Sequence, residues 1–225
     1  MENKQHVIIH HPCTFTRVAM KAIMTSQREK YDIKEAGCLT AFMQENNPPP
    51  VCSPTLLITH IPRRALSFVD TLDAIETLQR QANHSLTVLV LTNKVVRPVA
   101  MNFLNKYPGR CFFLDEFVSC KTVSAKVNVL LDRKGGDVPG GHFHLPNPLT
   151  ARERYVLKRL MKGMTLWEIA NGLALNYKTV SHHKMSALRK LGFHHINALF
   201  SEKWHLGDGS TAPDDRWLSK VNRAA

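Results

Sequence analysis

Hydrophobic runs and polar segments alternate regularly along the first 131 residues. Five short apolar runs are typical of strands, at residues 6–10, 31–35, 55–59, 86–92 and 111–114. Five segments with apolar residues at helical spacing follow them, at 14–24, 39–45, 67–82, 98–106 and 118–131. Continuous apolar strands separated by helices indicate a parallel sheet covered on both faces. With right-handed crossovers, the pattern predicts a doubly wound, flavodoxin-like α/β domain.

The first predicted helix shows the helical spacing clearly. Thr14 or Thr16 is its candidate N-cap. Its apolar positions share one helical face: Phe15, Val18, Ala19, Ala22 and Ile23.

The alternation stops at residues 132–148. This stretch holds four glycines and three prolines, which exclude a continuous helix or a central strand. We therefore predict a domain at 1–131, a linker at 132–148, a second domain at 149–205 and a tail at 206–225. His142 and His144 lie in the linker without a further ligand nearby, so we predict no metal site there.

The second domain has the pattern of four short helices. Two capping boxes, Thr150 with Glu153 and Thr165 with Glu168, mark two helix starts. Gly163 ends the first helix, while Asn176 and Gly192 bound a third. The fourth helix is marked by Ile196, Leu199 and Phe200. The short turn before Asn176 predicts an all-α domain with a helix-turn-helix.

The third of these helices has two unlike faces. Val180, Ala187, Leu188 and Leu191 form an apolar stripe. The opposite stripe is polar or basic and consists of Lys178, Ser181, His182, Met185 and Arg189. No acidic residue occurs between Tyr177 and His195, whereas an ordinary solvated face usually mixes in Glu. Such a face suits a helix that enters the major groove of DNA.

The distribution of charge along the chain also favours DNA as the partner. The chain carries a formal net charge of +12, and residues 149–205 hold ten basic residues against three acidic ones. A compact basic block binds polyanions such as double-stranded DNA, because phosphate contacts release counterions.

Several other classes of protein are disfavoured. The five cysteines form no C-x-x-C pair, no apolar run approaches a membrane span, and the start lacks the pattern of a signal peptide. Neither a G-x-G-x-x-G nor a Walker motif occurs. We therefore expect a cytoplasmic protein that does not contact membranes, with no enzymatic activity, cofactor, metal or catalytic residue.

The second domain resembles the DNA-binding domain of LuxR/FixJ-type transcription regulators. The resemblance rests on Leu149-Thr150, Glu153, Glu168-Ile169-Ala170, Lys178-Thr179-Val180 and Lys190-Leu191-Gly192. It implies that Lys178, Thr179 and Lys184 meet phosphates. It also implies that Ser181, His182 and Met185 face bases, with His183 at the groove edge. Trp167 departs from the pattern, because the family usually has Asn or Lys there.

The first domain resembles a response-regulator receiver that has lost its acids. His10 and His11 stand where that family has an acid pair, and residues 55–62 contain no carboxylate to accept phosphate. Only Thr92 fits, as the family's hydroxyl after the fourth strand. The resemblance implies a pseudo-receiver without aspartyl phosphorylation.

The two domains together are similar to the enterobacterial auxiliary regulators of the RcsA and BglJ type. The run 9–17 and the residues Lys178-Thr179-Val180-Ser181, Lys184 and Ser186 carry this similarity. It implies a dimer, with an RcsB-like response regulator or with a second copy of the chain.

Two other interpretations stay open. The first domain is an enzyme or a sensor of small molecules or metals if His10, His11 and His60 line a ligand site at the strand ends. Alternatively, the chain antagonises another regulator and binds no DNA itself.

Overall fold

A computed structural model describes the chain at residues 5–25, 31–46, 55–62, 64–82, 85–104, 110–131, 145, 147–196 and 198. Leu199 and Phe200 of the predicted fourth helix, the predicted tail, and His142 and His144 lie outside the described residues, as does most of the predicted linker. The described residues form two compact units. One contains the strands, and the other contains the described residues of 62–69 and 95–104 together with those from 145 onward. The domain limits at 131, 148 and 205 stay a prediction.

Five parallel strands form a single sheet with the order β2-β1-β3-β4-β5. The strands are β1 (Gln5–His10), β2 (Tyr31–Ala36), β3 (Thr55–His60), β4 (Leu86–Thr92) and β5 (Cys111–Asp115). The helices between and after them are α1 (Thr14–Thr25), α2 (Leu39–Glu45), α3 (Ala65–Gln81), α4 (Arg97–Leu104) and α5 (Cys120–Leu131). This strand order is that of flavodoxin-like folds, so the predicted α/β class is confirmed.

Both faces of the sheet are buried, which explains why its strands lack polar alternation. Ile9 and Leu89 pack in a cluster with residues of α1 and α5. Ile8 and Leu57 point to the opposite face, and they are also buried, at 1% and 0% exposed. Two-sided burial of this kind gives continuous apolar runs such as that of β4.

Helix α1 packs differently from what its apolar spacing suggests. Met20 and Met24 are its buried residues, whereas Phe15 and Val18 are 87% and 55% exposed. The helix begins at Thr14, and the preceding Cys13 thiol accepts hydrogen bonds from Thr16, which lower the pKa of that thiol. The prediction of a threonine N-cap was therefore wrong.

Three helices of the second unit carry the predicted helix-turn-helix: α6 (Ala151–Met161), α7 (Leu166–Leu173) and α8 (Tyr177–Lys190). Both predicted capping boxes are present, at the starts of α6 and α7. Gly163 and Gly192 have φ angles of +84° and +78°, a conformation that glycine adopts without strain after a helix end. The small core between the helices contains Val156, Ile169 and Val180.

In the part of the chain that the structure describes, no helix has the length and apolar character needed to cross a membrane.

Candidate nucleic-acid interface

The start of α8 is set by a short turn and a side-chain cap. Asn176 Oδ1 accepts a hydrogen bond of 2.8 Å from the Lys178 backbone N–H, as predicted for an N-cap. Ala174 closes α7 in a left-handed conformation, with φ of +51°. A residue with a Cβ pays strain there, since this region favours glycine. The turn thus places the N-cap of α8 two residues after a strained alanine.

A buried carboxylate joins α8 to α6. Glu153 is 4% exposed and accepts hydrogen bonds from three groups. These are the Thr150 backbone N–H at 2.7 Å, the Ser186 hydroxyl at 2.7 Å and the Lys190 ammonium at 2.8 Å. Burial raises the pKa of Glu153, but the hydrogen bonds from Lys190, Ser186 and Thr150 outweigh it and lower the pKa to about 2. The charged carboxylate therefore fixes the orientation of α8.

Sequence reasoning recognised only the capping role of Glu153. Ser186 and Lys190 are four residues apart on α8, so both face α6. Glu153 is one of only three acidic residues in the basic segment 149–205, and this scarcity of acids was the signal in the sequence that could have pointed to the network.

The opposite side of α8 is open. Lys178, His182, Met185 and Arg189 are exposed and lie on one side of the helix. The exposed set also includes Thr179, whereas Ser181, His183 and Lys184 are half-buried. Among the described residues, none of the cations Lys178, Lys184 and Arg189 has an acidic partner within ion-pair distance. The predicted stripe is therefore an accessible surface without neutralising acids, and its role in DNA binding stays a prediction.

Two exposed aromatic side chains meet at the start of α8. Trp167 in α7 is 65% exposed and Tyr177 in α8 is 38% exposed. Their ring centroids are 5.3 Å apart and their planes are tilted by 33°. Sequence reasoning did not assign either residue a function, because their ten-residue separation gives no local sign that the rings meet.

The other unit brings together the histidines that follow β1 and β3. His10 Nδ1 lies 2.8 Å from Thr59 Oγ1, and the rings of His11 and His60 have centroids 4.8 Å apart. His60 Nε2 lies 3.1 Å from Glu116 Oε2. Burial, followed by the positive potential of His60 and His11, lowers the pKa of His10 to about 4. The pKa of His11 is also lowered, first by burial and then by His60.

The ends of β1 and β3 have histidines, and no carboxylate occurs in residues 55–62. Within the described ranges, no group of three or more His, Cys, Asp or Glu side chains is arranged to hold a metal ion. The hydroxyl of Thr92 is buried without a hydrogen-bond partner at the end of β4.

The family model for bacterial regulatory proteins of the luxR family matches residues 147–201. This segment is a luxR-family domain. The chain is 47% identical over 57 residues to the Fimbriae Z protein of Salmonella typhimurium, a match that covers 25% of this chain and 26% of that protein. It is 50% identical over 46 residues to the transcriptional regulatory protein UhpA of the same organism, covering 20% and 24%. The chain thus spans about a quarter of the length of the curated relatives that it matches.

The likeness to solved structures extends beyond the luxR domain. The response regulator RcsB, in a complex with DNA, matches with a TM-score of 0.51 and 22% identity. This match covers 97% of the chain and 100% of the RcsB chain. At that identity the likeness shows a shared fold: a five-stranded α/β domain followed by a helical luxR domain.

Proposed function

We propose that this chain is a sequence-specific DNA-binding regulator of transcription, without enzymatic activity, that works in the bacterial cytoplasm. The observation that carries the proposal is the exposed, acid-free side of α8 in a luxR domain. Lys178, Met185 and Arg189 are available there, while Lys190 is held on the other side by Glu153. A helix held in this way presents one defined surface to the major groove.

The residues of that surface divide into two roles. Lys178, Thr179 and Lys184 meet phosphates, which positions the helix and supplies affinity without sequence information. Ser181, His182 and Met185 face the bases, with His183 at the groove edge and Arg189 continuing the basic side. Met185 is 44% exposed and offers apolar contact, which suits the methyl group of thymine.

The α/β unit acts in this proposal as a pseudo-receiver, without aspartyl phosphorylation. His10, His11 and His60 supply no carboxylate for a hard cation such as Mg²⁺, which prefers oxygen ligands. The rings of His11 and His60 are in contact, and His60 is hydrogen-bonded to Glu116. These contacts support a strand-end region built mainly from imidazoles rather than from the carboxylates of a Mg²⁺ site.

Dimerisation completes the DNA site, because a single helix-turn-helix makes few base contacts. The partner is an RcsB-like response regulator or a second copy of the chain. The fold shared with RcsB supports this choice, as does a solved structure of two RcsB dimers bound to two parallel DNAs, which matches with a TM-score of 0.50.

A genome-wide footprint of the purified chain, with and without an RcsB-like regulator, tests the function directly. We expect protected sites that share a sequence motif, and more of them when the regulator is present. Binding that is equal at all sequences, or absent under both conditions, contradicts the proposal.

A phosphoryl donor tests the pseudo-receiver separately. Treatment with acetyl phosphate should leave the mass and the DNA affinity of the chain unchanged. An RcsB-like response regulator serves as the positive control, and a phospho-adduct on this chain with altered affinity would refute this part of the proposal.

A second candidate function is a small-molecule sensor at the strand ends. It is favoured by the proximity of His11 and His60 and by the His60 Nδ1 atom, which is buried without a hydrogen-bond partner. Thermal-shift screening with metabolites, repeated on a His60→Gln variant, distinguishes it: a ligand must stabilise the wild type and not the variant.

A further inference from the structure

The aromatic pair of Trp167 and Tyr177 is unusual for its exposure. Large aromatic side chains normally bury most of their surface, and Trp167 leaves 65% of its surface in water. The pair lies outside the small core that holds the three helices together, which contains Val156, Ile169, Ala170 and Val180. Packing of the domain therefore does not explain why two aromatic rings are held together at its surface.

Each ring also has an unused donor. Among the described residues, no hydrogen bond is made by the indole N–H of Trp167 or the phenol O–H of Tyr177. The contact between the rings, with centroids 5.3 Å apart, limits the motion of both side chains. The pair is thus an ordered apolar surface with two donors at its edge.

The position of the pair ties it to the proposed DNA-binding surface. Tyr177 is the first residue of α8, directly before Lys178, and Trp167 is the second residue of α7. The nearby carboxylate of Glu168 is engaged by the backbone N–H and the hydroxyl of Thr165, at 2.7 and 2.9 Å. Apart from Glu168, α7 and α8 contain no acidic residue, and Lys178 directly follows Tyr177. The surroundings of the pair therefore suit a polyanion, and the polyanion that α8 is proposed to bind is duplex DNA.

We infer that Trp167 and Tyr177 form a contact for the sugar–phosphate backbone of duplex DNA. The ring faces cover deoxyribose, and the N–H and O–H groups donate to phosphate oxygens. Side chains that contact the backbone add affinity and orientation without reading bases. This inference rests on the proposed function and adds a non-ionic component to it.

The absence of charge on these rings gives a measurable signature. A lysine that meets a phosphate releases a counterion, so its removal makes the salt dependence of binding shallower. Removal of an uncharged aromatic contact lowers affinity at every salt concentration and leaves that slope unchanged. We therefore expect Trp167→Ala to weaken binding about tenfold at both specific and non-specific duplexes, with an unchanged slope.

Fluorescence anisotropy of labelled duplexes, measured with the full-length chain across a range of salt concentrations, provides this test. Lys178→Ala is the contrasting variant and should shallow the slope by about one unit. Tyr155→Ala is the matched control, because Tyr155 is another exposed aromatic residue of the same domain and lies outside the pair. It should bind DNA as the wild type does, and circular dichroism checks that each variant folds.

A second measurement does not depend on removing the ring. The chain has three tryptophans, so a Trp204→Phe and Trp217→Phe double variant leaves Trp167 as its only indole. Acrylamide, a neutral quencher, should reach Trp167 in the free protein and be excluded when duplex DNA is bound.

The outcomes separate this inference from the proposed function. If the wild type binds no duplex, the proposed function fails. If the wild type binds and Trp167 stays open to acrylamide in the complex, only the inference is overturned. If Trp167→Ala binds DNA with wild-type affinity, the inference is also overturned, because the ring then makes no contribution to binding. If the loss of affinity comes with a shallower salt slope, it is overturned as well, because the ring then acts by positioning Lys178.

Discussion

Substitution of Glu153 by Gln tests how α8 is held in place. The carboxylate is 4% exposed and accepts hydrogen bonds from Thr150, Ser186 and Lys190. Its pKa of about 2, compared with the ordinary 4.5, corresponds to about 3 kcal/mol of stabilisation near neutral pH. Glutamine keeps the shape and one acceptor oxygen but leaves the Lys190 ammonium without a counter-charge. We therefore expect a loss of about 2–3 kcal/mol in the free energy of unfolding.

The loss should depend on pH in a defined direction. Since the folded pKa of Glu153 is below the unfolded one, falling pH protonates the unfolded state first. The stabilisation is complete above about pH 5 and disappears as the pH approaches 2. Gln does not titrate, so the difference in stability between wild type and variant should shrink over that interval.

Urea unfolding of the full-length chain, followed by the emission of Trp167 in the single-tryptophan background, measures this difference. Glu168→Gln is the matched control, because Glu168 closes the equivalent capping box of α7 but is exposed and receives no hydrogen bond from α8. We expect a clearly smaller loss for the control. Equal losses for the two variants, or a Glu153→Gln effect that is the same at pH 7 and pH 3, would refute the assigned role of the buried network.

Three further predictions concern other parts of the molecule. Ala174→Gly should raise the free energy of unfolding of the luxR domain by about 1 kcal/mol, because glycine removes the left-handed strain at this turn. Urea unfolding would show this as a higher midpoint. The stability of the α/β unit should fall by about 3 kcal/mol between pH 6.5 and 4 as the buried His10 becomes protonated in the unfolded state. His10→Asn, which keeps a polar partner for Thr59, should flatten this fall in hydrogen-exchange measurements on β1. Lys178→Ala should make the salt dependence of DNA binding shallower and leave stability unchanged, whereas Lys190→Ala should lower stability by about 3 kcal/mol. A loss of stability in Lys178→Ala, with none in Lys190→Ala, would contradict the placement of Lys178 on the open side of α8 and of Lys190 on the side that faces Glu153.

Features that depend on neighbouring residues could be predicted from the sequence. The capping box of Thr150 and Glu153 joins residues three apart, and the N-cap of α8 joins Asn176 to Lys178. Such bonds form within one turn of the chain, so residue identity and spacing suffice to find them. The parallel sheet could be predicted for a related reason, since burial on both faces leaves a direct mark on composition.

Helix α1 shows where this reasoning fails. Phe15 and Val18 have the spacing of a core face, yet Met20 and Met24 are the residues that pack against the sheet. Both faces of this helix contain apolar residues, so periodicity alone does not choose between them. The choice is made by the packing of the helix against the sheet and α5.

The sequence alone determined the local caps and the acid-free face of α8, because each depends on residues within one turn or one helix. It also indicated the parallel layout and the luxR domain, because the apolar strand runs and the short-range motifs are visible along the chain. Only the tertiary structure decided which distant side chains meet. Glu153 reaches Ser186 and Lys190 across 33 and 37 residues, His60 meets Glu116 across 56, and Trp167 stacks on Tyr177 across a turn. These meetings depend on how helices and strands pack against each other, and spacing along the chain contains no record of that packing.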